Sequence, residues 1–286
     1  MKILVYGNGW LGNRINEEFG GVVSLSNILD MQFVANEIAE YKPDIVVNAA
    51  AKCGKPNIDW CCKPENRAIT EAVNAYGPRV LESVCEAHKV KFVHISSGCL
   101  WEEASDVKED LLPDPPSWYS MTKAMAETTL NHNRTLILRP RMPIDGRLGD
   151  RNLISKLSKY DKVLDIHNSV SVVEDFLSAM KALMEKDCTG IYHVANPGWV
   201  TAREVMELYC EIVDPSHCFQ IVDMDYLWKN KLISDGRSNV VLNTDKLNAE
   251  GIELPDAKQR VRECVEKYAE HIEEEKCRLN TSQEAG

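Results

Sequence analysis

The stretch Lys2–Ile15, "KILVYGNGWLGNRI", decides the fold class. "KILVY" is a short run of aliphatic and β-branched residues that ends directly at glycine, which is typical of a buried parallel strand. Gly7, Gly9 and Gly12 then form a GxGxxG motif that opens a helical segment. Glycines here let the backbone approach a pyrophosphate, and the helix N-terminus offers it free N–H groups. The alternative, a glycine turn without a ligand, fits this strand–turn–helix context less well.

Alternating strand and helix patterns follow through the N-terminal half. Strand patterns are "GVVSL", "DIVVNAAA", "KFVHIS" and "RTLILRP"; helix patterns are "MQFVANEIAEY", "AITEAVNAYGPRVLESVCEAHK" and "SWYSMTKAMAETTLN". Gly77–Pro78 predicts a kink or break in the second helix. This alternation predicts an α/β fold, a Rossmann-type doubly wound parallel sheet.

The pattern weakens after Arg141, and the C-terminal half mixes short strands with helices. Thr201 and Glu204 have the spacing of a capping box that starts a helix. We therefore expect a dinucleotide-binding domain over residues 1–142. Residues 143–286 are expected to form mainly a smaller substrate-binding lobe, with some segments returning to the first domain.

The composition of the chain excludes some classes of binding partner and indicates its location. The net charge of -11 disfavours nucleic acid and anionic membrane surfaces, since both attract clustered Lys and Arg. No apolar run approaches the roughly 18 residues of a transmembrane helix, and the opening "MKILVYGNGW" reaches glycine too early for a signal peptide. We expect a cytoplasmic protein whose ten cysteines stay reduced. Their irregular spacing predicts no metal site.

A second motif, YxxxK, supplies candidate catalytic residues. Tyr119 and Lys123 have YxxxK spacing, which puts both side chains on one helix face. A lysine ammonium there would lower the pKa of the phenol and could hold a nicotinamide ribose. Ser97 ends an inner strand, where open α/β sheets bind ligands, and could hydrogen-bond a substrate oxygen. The alternative is an ordinary amphipathic helix.

The residues after the second strand indicate the cofactor preference. An NAD site would place Asp or Glu there to hold the ribose 2′-hydroxyl, and no acid appears before Asp30. Arg14 lies just past the glycine loop, and Ser24 and Ser26 add hydroxyls. The sequence predicts NADP (NADPH), with NAD as the alternative.

These residues resemble the extended short-chain dehydrogenase/reductases and, within them, the dTDP-4-dehydrorhamnose reductase branch. Four stretches between Asn48 and Lys156 resemble its UDP-4-keto-6-deoxyglucose 3,5-epimerase/4-reductase subgroup: "GKPNIDWC", "SGCLWE", "YSMTKAMAE" and "RPRMPIDGRLGDRNLISK". The glycine loop is one residue shorter than the family's usual GxxGxxG. Glycine also separates Ser97 from Cys99, where plain reductases of the branch carry an acid followed by tyrosine.

The resemblance implies a nucleotide-diphosphate 4-keto-6-deoxy sugar as substrate. It makes Cys99 and Lys156 the acid–base pair that inverts C3 and C5, with Lys159 as fallback for the second role. Ser97 and Tyr119 would stabilise the enolate oxygen, and Tyr119 would protonate the C4 oxygen during reduction. Packing of Cys99 as a free thiol and solvent exposure of Lys156 are the alternatives.

The resemblance and the motifs together give two further sets of residues. The predicted cofactor contacts are Gly7, Gly9, Trp10, Leu11, Gly12, Arg14, Ala49, Ala50, Ala51, Asn74, Tyr119 and Lys123. The predicted substrate contacts are Lys55, Asn57, Trp60, Arg141, Asn152 and Arg237, the last three toward the diphosphate. A homodimer is a family expectation. Two other readings stay open: a reductase without epimerase activity, and a non-catalytic NADP-binding regulatory subunit.

Overall fold

The computed structural model of the protein describes residues 1–284, with side chains through residue 278, so the last two residues of the predicted second lobe lie outside it. The strands are β1 (Ile3–Tyr6), β2 (Val22–Ser24), β3 (Ile45–Asn48), β4 (Lys91–Ile95), β5 (Glu103–Val107), β6 (Thr135–Arg139), β7 (Pro143–Ile144), β8 (Lys162–Leu164), β9 (Ser171–Val172), β10 (Gly190–His193), β11 (Gln220–Val222) and β12 (Asn239–Leu242). The helices are α1 (Trp10–Phe19), α2 (Met31–Tyr41), α3 (Asp59–Cys62), α4 (Pro64–Glu71), α5 (Gly77–His88), α6 (Trp118–Thr129), α7 (Leu153–Leu157), α8 (Val173–Glu185), α9 (Ala202–Ile212), α10 (Met224–Lys229), α11 (Asp245–Ala249) and α12 (Ala257–Glu284).

Six strands form one parallel sheet in the order β10-β6-β4-β3-β1-β2. Every pair in it is parallel, and Tyr6, Asn48 and His94 lie side by side in one row across β1, β3 and β4. The predicted doubly wound parallel sheet is therefore confirmed. All carboxyl ends meet at one edge, so the residues that come after these strands lie close together.

The sheet is buried on both faces because its strands are apolar throughout. Ile3 and Val5 face a layer that includes Phe176 of α8, whereas Leu4 and Tyr6 face the layer on the other side. Near-continuous apolar strands are expected where helices cover both faces. The layers hold the strand ends in fixed positions.

A second apolar cluster lies beyond the sheet. It is built around α7, α9 and α12, with Ile154, Val205 and Val261 among its fully buried members. The capping box predicted at Thr201 and Glu204 is confirmed at the start of α9. Strand β10 pairs with β6, and α8 packs on the main sheet, so parts of the C-terminal half belong to the first layer system. The domain division at residue 142 stays a prediction.

The long helix predicted around Gly77–Pro78 is broken. A π-helical turn, Ala72–Tyr76, joins α4 to α5. Pro78 supplies no N–H for the regular ladder, which favours such a break. A Cβ on Gly77 would lie 2.4 Å from Cδ1 of Ile28, so glycine is needed where this turn approaches the chain after β2. π-Turns of this kind occur often beside functional sites.

No helix within residues 1–284 is long and apolar enough to cross a membrane. In the same part of the chain, no group of three or more His, Cys, Asp or Glu side chains is arranged to hold a metal ion.

Candidate active site

The glycine loop between β1 and α1 forms the first wall of the site. Gly7 has φ +115, and a Cβ there would lie 2.4 Å from the backbone nitrogen of Ala50. A Cβ on Gly12 would lie 1.9 Å from the carbonyl oxygen of Gly7, so both positions require glycine. Gly9 differs because a Cβ there would meet nothing within 4 Å. Open space therefore lies over the N-terminus of α1.

This space fits an anionic group. Gly9 is the N-cap of α1 and has no side chain that could cap the helix. The first turn has no acidic residue, and it includes Trp10 and Leu11, two of the predicted cofactor contacts. Unsatisfied N–H groups and the positive end of the helix dipole thus face the opening. The arrangement is compatible with the pyrophosphate of a dinucleotide. Ala49 and Ala50 are half-buried and Ala51 is exposed along the neighbouring chain after β3.

Arg14 bonds to two carboxylates of the protein, and its predicted contact with the cofactor stays a prediction. Its Nε donates to Asp145 at 2.8 Å, and Nη1 donates to Glu17 at 3.2 Å. The Ser24 hydroxyl donates to Glu37 at 2.7 Å. The side chains that suggested a 2′-phosphate site are therefore engaged within the protein. Sequence reasoning missed Glu37 because it lies on α2, well after the end of β2.

Ser97, Gly98 and Cys99 form a tight turn after β4. The Ser97 hydroxyl accepts a hydrogen bond from the Cys99 backbone N–H at 3.1 Å. Gly98 N–H donates to the carbonyl of Pro140 at 2.8 Å, and a Cβ on Gly98 would lie 2.8 Å from Cδ1 of Leu242. The glycine thus allows close packing that turns both polar side chains toward the sheet edge.

Tyr119 faces the same turn from the first turn of α6, which starts at the N-cap Ser117. Burial raises the pKa of Tyr119, nearby Cys53 and Cys99 raise it further, and a hydrogen bond with Ser97 opposes them. The phenol is therefore protonated at neutral pH and can donate a proton. The expected net lowering of the pKa of Tyr119 is wrong, because burial outweighs any effect of Lys123.

Lys123 is buried and points toward β4. Its Nζ donates to the carbonyl oxygen of Ile95 at 2.9 Å and lies 3.4 Å from Nε2 of His94. Burial lowers the pKa of Lys123 to about 8, with Glu127 and Cys53 opposing it. The amine is thus held against strand β4 by its bond to Ile95, whereas it was predicted to lower the pKa of the Tyr119 phenol.

Lys156 lies on α7 and is half-buried, whereas Lys159 is exposed and pairs with Asp150 at 3.6 Å. Burial lowers the pKa of Lys156, Arg151 lowers it further, and Cys53 and Cys99 act in the opposite direction. Lys156 therefore lies close to Cys99. Of the two candidate lysines, Lys156 is the one near the cysteine, whereas Lys159 lies at the surface.

Asn74 connects the π-helical turn to two neighbouring segments. Its side chain accepts from the backbone N–H of Lys52 at 2.7 Å and donates to the Lys52 carbonyl at 2.9 Å. It also donates to the hydroxyl of Thr122 at 3.1 Å, next to Lys123. Asn74 therefore fixes the chain after β3 against α6. These three bonds engage its amide within the protein, and its contact with cofactor stays a prediction.

The predicted sugar contacts lie on the segment after β3. Lys55 is exposed, and Asn57 and Trp60 are half-buried. Asn57 accepts from the backbone N–H of Asp59 at 2.9 Å, which shapes the start of α3. Arg151 donates to the carbonyl of Gly54 at 2.7 Å and so ties this segment to the start of α7. Their contacts with substrate stay a prediction.

The three residues predicted to contact the diphosphate bond to other parts of the protein, and their contacts with substrate stay a prediction. Asn152 is fully buried, caps α7 and donates to the carbonyls of Asp145 and Arg147, so its amide supports the loop. Arg237 donates through two nitrogens to Asp59, at 3.0 and 2.8 Å. Arg141 is buried against Cys99.

Cys53 is the site residue that sequence reasoning missed. It lies between Lys52 and Gly54, whose backbone groups are held by Asn74 and Arg151. It lies close enough to Tyr119, Lys123 and Lys156 to raise the pKa of each group. Its position after the third strand, at the carboxyl edge of the sheet, is the signal that could have identified it.

The parallel sheet, glycine loop and Ser–Tyr–Lys set together define the class of short-chain dehydrogenase/reductases. Within that class the chain belongs to the family of the RmlD substrate binding domain, whose profile matches residues 1–270. This confirms the branch predicted from the sequence.

Two curated relatives come from Arabidopsis thaliana. A bifunctional dTDP-4-dehydrorhamnose 3,5-epimerase/dTDP-4-dehydrorhamnose reductase is 33% identical over 90% of this chain and 90% of its own length. A trifunctional UDP-glucose 4,6-dehydratase/UDP-4-keto-6-deoxy-D-glucose 3,5-epimerase/UDP-4-keto-L-rhamnose-reductase is 31% identical over 94% of this chain. The chain spans only 42% of that longer protein.

Solved structures show the same fold. The L780 UDP-rhamnose synthase of Acanthamoeba polyphaga mimivirus superposes with a TM-score of 0.85 and 28% identity, over 93% of this chain and 99% of that one. The dTDP-4-dehydrorhamnose reductase of Bacillus anthracis, solved in complex with NADP, has a TM-score of 0.78 and 20% identity, over 92% and 97%.

Proposed function

We propose that this protein is a bifunctional 3,5-epimerase/4-reductase that converts UDP-4-keto-6-deoxy-D-glucose to UDP-L-rhamnose with NADPH. The observation that carries the proposal is that Cys99 lies close enough to Tyr119 and to Lys156 to influence the pKa of each group. The bifunctional and trifunctional relatives and the mimivirus synthase support the same chemistry.

Epimerisation begins with the protons at C3 and C5, which are acidic because both carbons lie α to the C4 carbonyl. A base must remove the proton from one face and an acid must return one to the other face. Cys99 and Lys156 supply these two groups. Because burial lowers the pKa of Lys156, its amine exchanges a proton more readily near neutrality than a surface lysine would.

Ser97 and Tyr119 stabilise the negative charge that develops on the C4 oxygen. Both donate hydrogen bonds toward the point where the enolate oxygen forms. NADPH, held at the glycine loop, supplies the reducing equivalent at C4. Tyr119 then gives its proton to the C4 oxygen, which suits a phenol whose pKa is raised by burial.

The test is turnover of UDP-4-keto-6-deoxyglucose in D2O, followed by loss of NADPH absorbance and by product NMR. The wild type should form UDP-rhamnose that is deuterated at C3 and C5. Cys99→Ala and Lys156→Met should lose the label. The controls Cys188→Ala, a thiol next to Tyr192 and Glu250, and Lys159→Met should retain it.

The alternative functions predict different outcomes of the same experiment. NADPH oxidation without deuterium incorporation would mean a reductase without epimerase activity. Binding of NADPH with no oxidation, on either the UDP or the dTDP sugar, would favour a regulatory subunit. A marked preference for the dTDP sugar would overturn the UDP assignment alone.

A further inference from the structure

Arg141 is buried against the sulfur of Cys99. It lies two residues after the end of β6 and is 4% exposed. Its Nη1 donates to Sγ of Cys99 at 2.7 Å. Hydrogen bonds with a charged partner are the stronger and shorter ones, and a guanidinium is always charged. The contact therefore places a fixed positive charge directly on the proposed catalytic sulfur.

The backbone holds Arg141 in this place. Its N–H donates to the hydroxyl of Ser171 at 2.9 Å, and its carbonyl accepts from the Ser171 N–H at 2.7 Å. Gly98 allows the close approach, since a Cβ there would lie 3.3 Å from Cβ of Arg141. The guanidinium thus has little freedom to turn away from Cys99.

Within the described residues, no carboxylate lies within ion-pair distance of Arg141. Nη2 donates to Oδ1 of Asn168 and to the backbone carbonyl of Ser238, both neutral groups. Nε is buried without a hydrogen-bond partner. The buried Arg14 and Arg139, in contrast, each pair with a carboxylate. A buried charge without a counter-ion is costly, so Arg141 needs an anion.

We propose that Arg141 is the positioning residue that holds Cys99 as a thiolate, with the sulfur as its counter-ion. This inference rests on the proposed epimerase function and names the group that activates its base. The thiol proton leaves to solvent before substrate binds. The thiolate then takes the α-proton: the C–H bond breaks, an S–H bond forms, and the electron pair moves to the enolate oxygen. Lys156 returns a proton from the opposite face, as its N–H bond breaks and a new C–H bond forms.

Asn168 offers a variant that adds a negative charge beside Arg141 with little change in side-chain size, at the loss of the weak hydrogen bonds from its amide nitrogen to Ile166 and Asn239. Asn168→Asp keeps the oxygen that accepts from Arg141 but gives the guanidinium a carboxylate partner. Asn168→Ala removes the hydrogen bond without adding charge and is the matched control. Arg141→Met removes the positive charge, and Arg141→Lys retains it. None of these variants replaces Cys99 itself.

The measurement is the rate at which iodoacetamide alkylates Cys99 at neutral pH, read by mass spectrometry of its peptide in the full-length protein. The ultraviolet absorbance difference between each protein and its Cys99→Ser version reports thiolate directly. Arg141→Met and Asn168→Asp should lose about tenfold in rate, since each pH unit of displaced ionisation changes the thiolate fraction by that factor. Arg141→Lys and Asn168→Ala should stay within about threefold of the wild type.

Two outcomes overturn the inference. One is wild-type alkylation and absorbance in both Arg141→Met and Asn168→Asp. The other is an equal loss in Asn168→Ala and Asn168→Asp, because geometry and not charge would then control the sulfur. The proposed function can fail separately. If the wild type has a Cys99 thiolate but incorporates no deuterium from D2O, the Arg141–Cys99 ion pair is supported and the epimerase activity is refuted.

Discussion

Nε2 of His94 lies 3.4 Å from Nζ of Lys123, in the buried space between β4 and α6. Oδ1 of Asn48 accepts from the Ala50 N–H at 3.0 Å, so the Asn48 amide nitrogen faces Nδ1 of His94 and donates to it. Burial lowers the pKa of His94 well below its ordinary value, so the ring is neutral and carries its proton on Nε2. That N–H points at Lys123, which can accept it only as a neutral amine. The network therefore favours the uncharged form of Lys123.

Cofactor affinity should consequently depend on pH. The pKa of Lys123 is about 8, so the ammonium that would hold the anionic cofactor is present below that pH and lost above it. We expect the Kd for NADPH to rise about tenfold per pH unit above 8. Fluorescence titration of NADPH binding measures this. Lys123→Met should bind weakly with no such dependence, and a pH-independent wild-type Kd would contradict the assignment.

Alanine substitutions at two glycines of the loop should differ in their effects on stability and on NADPH binding. Gly12→Ala places a methyl group 1.9 Å from the Gly7 carbonyl oxygen, so it should lower the free energy of unfolding by about 3 kcal/mol. Gly9→Ala meets nothing within 4 Å and should change that free energy by about 0.5 kcal/mol or less. It should nevertheless weaken NADPH binding, because the methyl group enters the space of the pyrophosphate. Urea denaturation and NADPH titration give the two quantities; equal affinities of Gly9→Ala and wild type would exclude a ligand there.

The buried pair of Arg139 and Glu127 should be important for stability. Arg139 donates to Glu127 at 2.6 Å, and both side chains are almost completely buried. Arg139→Met leaves the carboxylate buried and should cost about 3–5 kcal/mol in free energy of unfolding. Arg262→Met, which breaks an exposed pair with Glu211, is the control and should cost about 1 kcal/mol or less. Similar losses in both variants would mean that burial of the pair is unimportant.

Because of the lowered pKa of His193, the free energy of unfolding should fall in acid. Burial lowers the pKa of His193 to about 3, from an ordinary value of 6.5, so the unfolded chain binds this proton first. The stabilisation is complete above 6.5 and is lost as the pH falls toward 3. His193→Phe should reduce the slope of unfolding free energy against pH in this window by about 1.4 kcal/mol per unit. Denaturation curves across the window test this, and parallel slopes in the two proteins would refute it.

Local signals located the sheet and much of the catalytic set. Strand and helix patterns depend on neighbours in sequence, so β1, α2, β6 and α6 could be predicted from their own residues. The short pairs β12–β5 and β7–β9 could not, because each joins segments far apart in the chain. Strands β7 and β9 have only two residues each, and β5 is mostly polar and exposed, so none of the three carries the apolar pattern of a buried strand.

The partners of buried and half-buried side chains within the protein could not be predicted from the sequence. Arg14, Arg141 and Arg237 were expected to bind phosphate because arginine has that chemistry. Each instead bonds to a residue at least 42 positions away: Asp145, Cys99 and Asp59. Sequence gives the capacity of a guanidinium, whereas the fold decides which acceptor it meets.

By itself, the sequence determined the parallel sheet, the glycine loop and the presence of Ser97, Cys99, Tyr119 and Lys123 near one edge, because the alternation of strands and helices along the chain and the spacing of motifs are local properties. Only the tertiary structure decided that Lys123 faces His94, that Cys53 enters the pocket and that Arg141 lies on the sulfur of Cys99. These relationships depend on burial and on contacts between distant segments. Burial sets which protonation states the groups adopt, and no stretch of sequence carries that information alone.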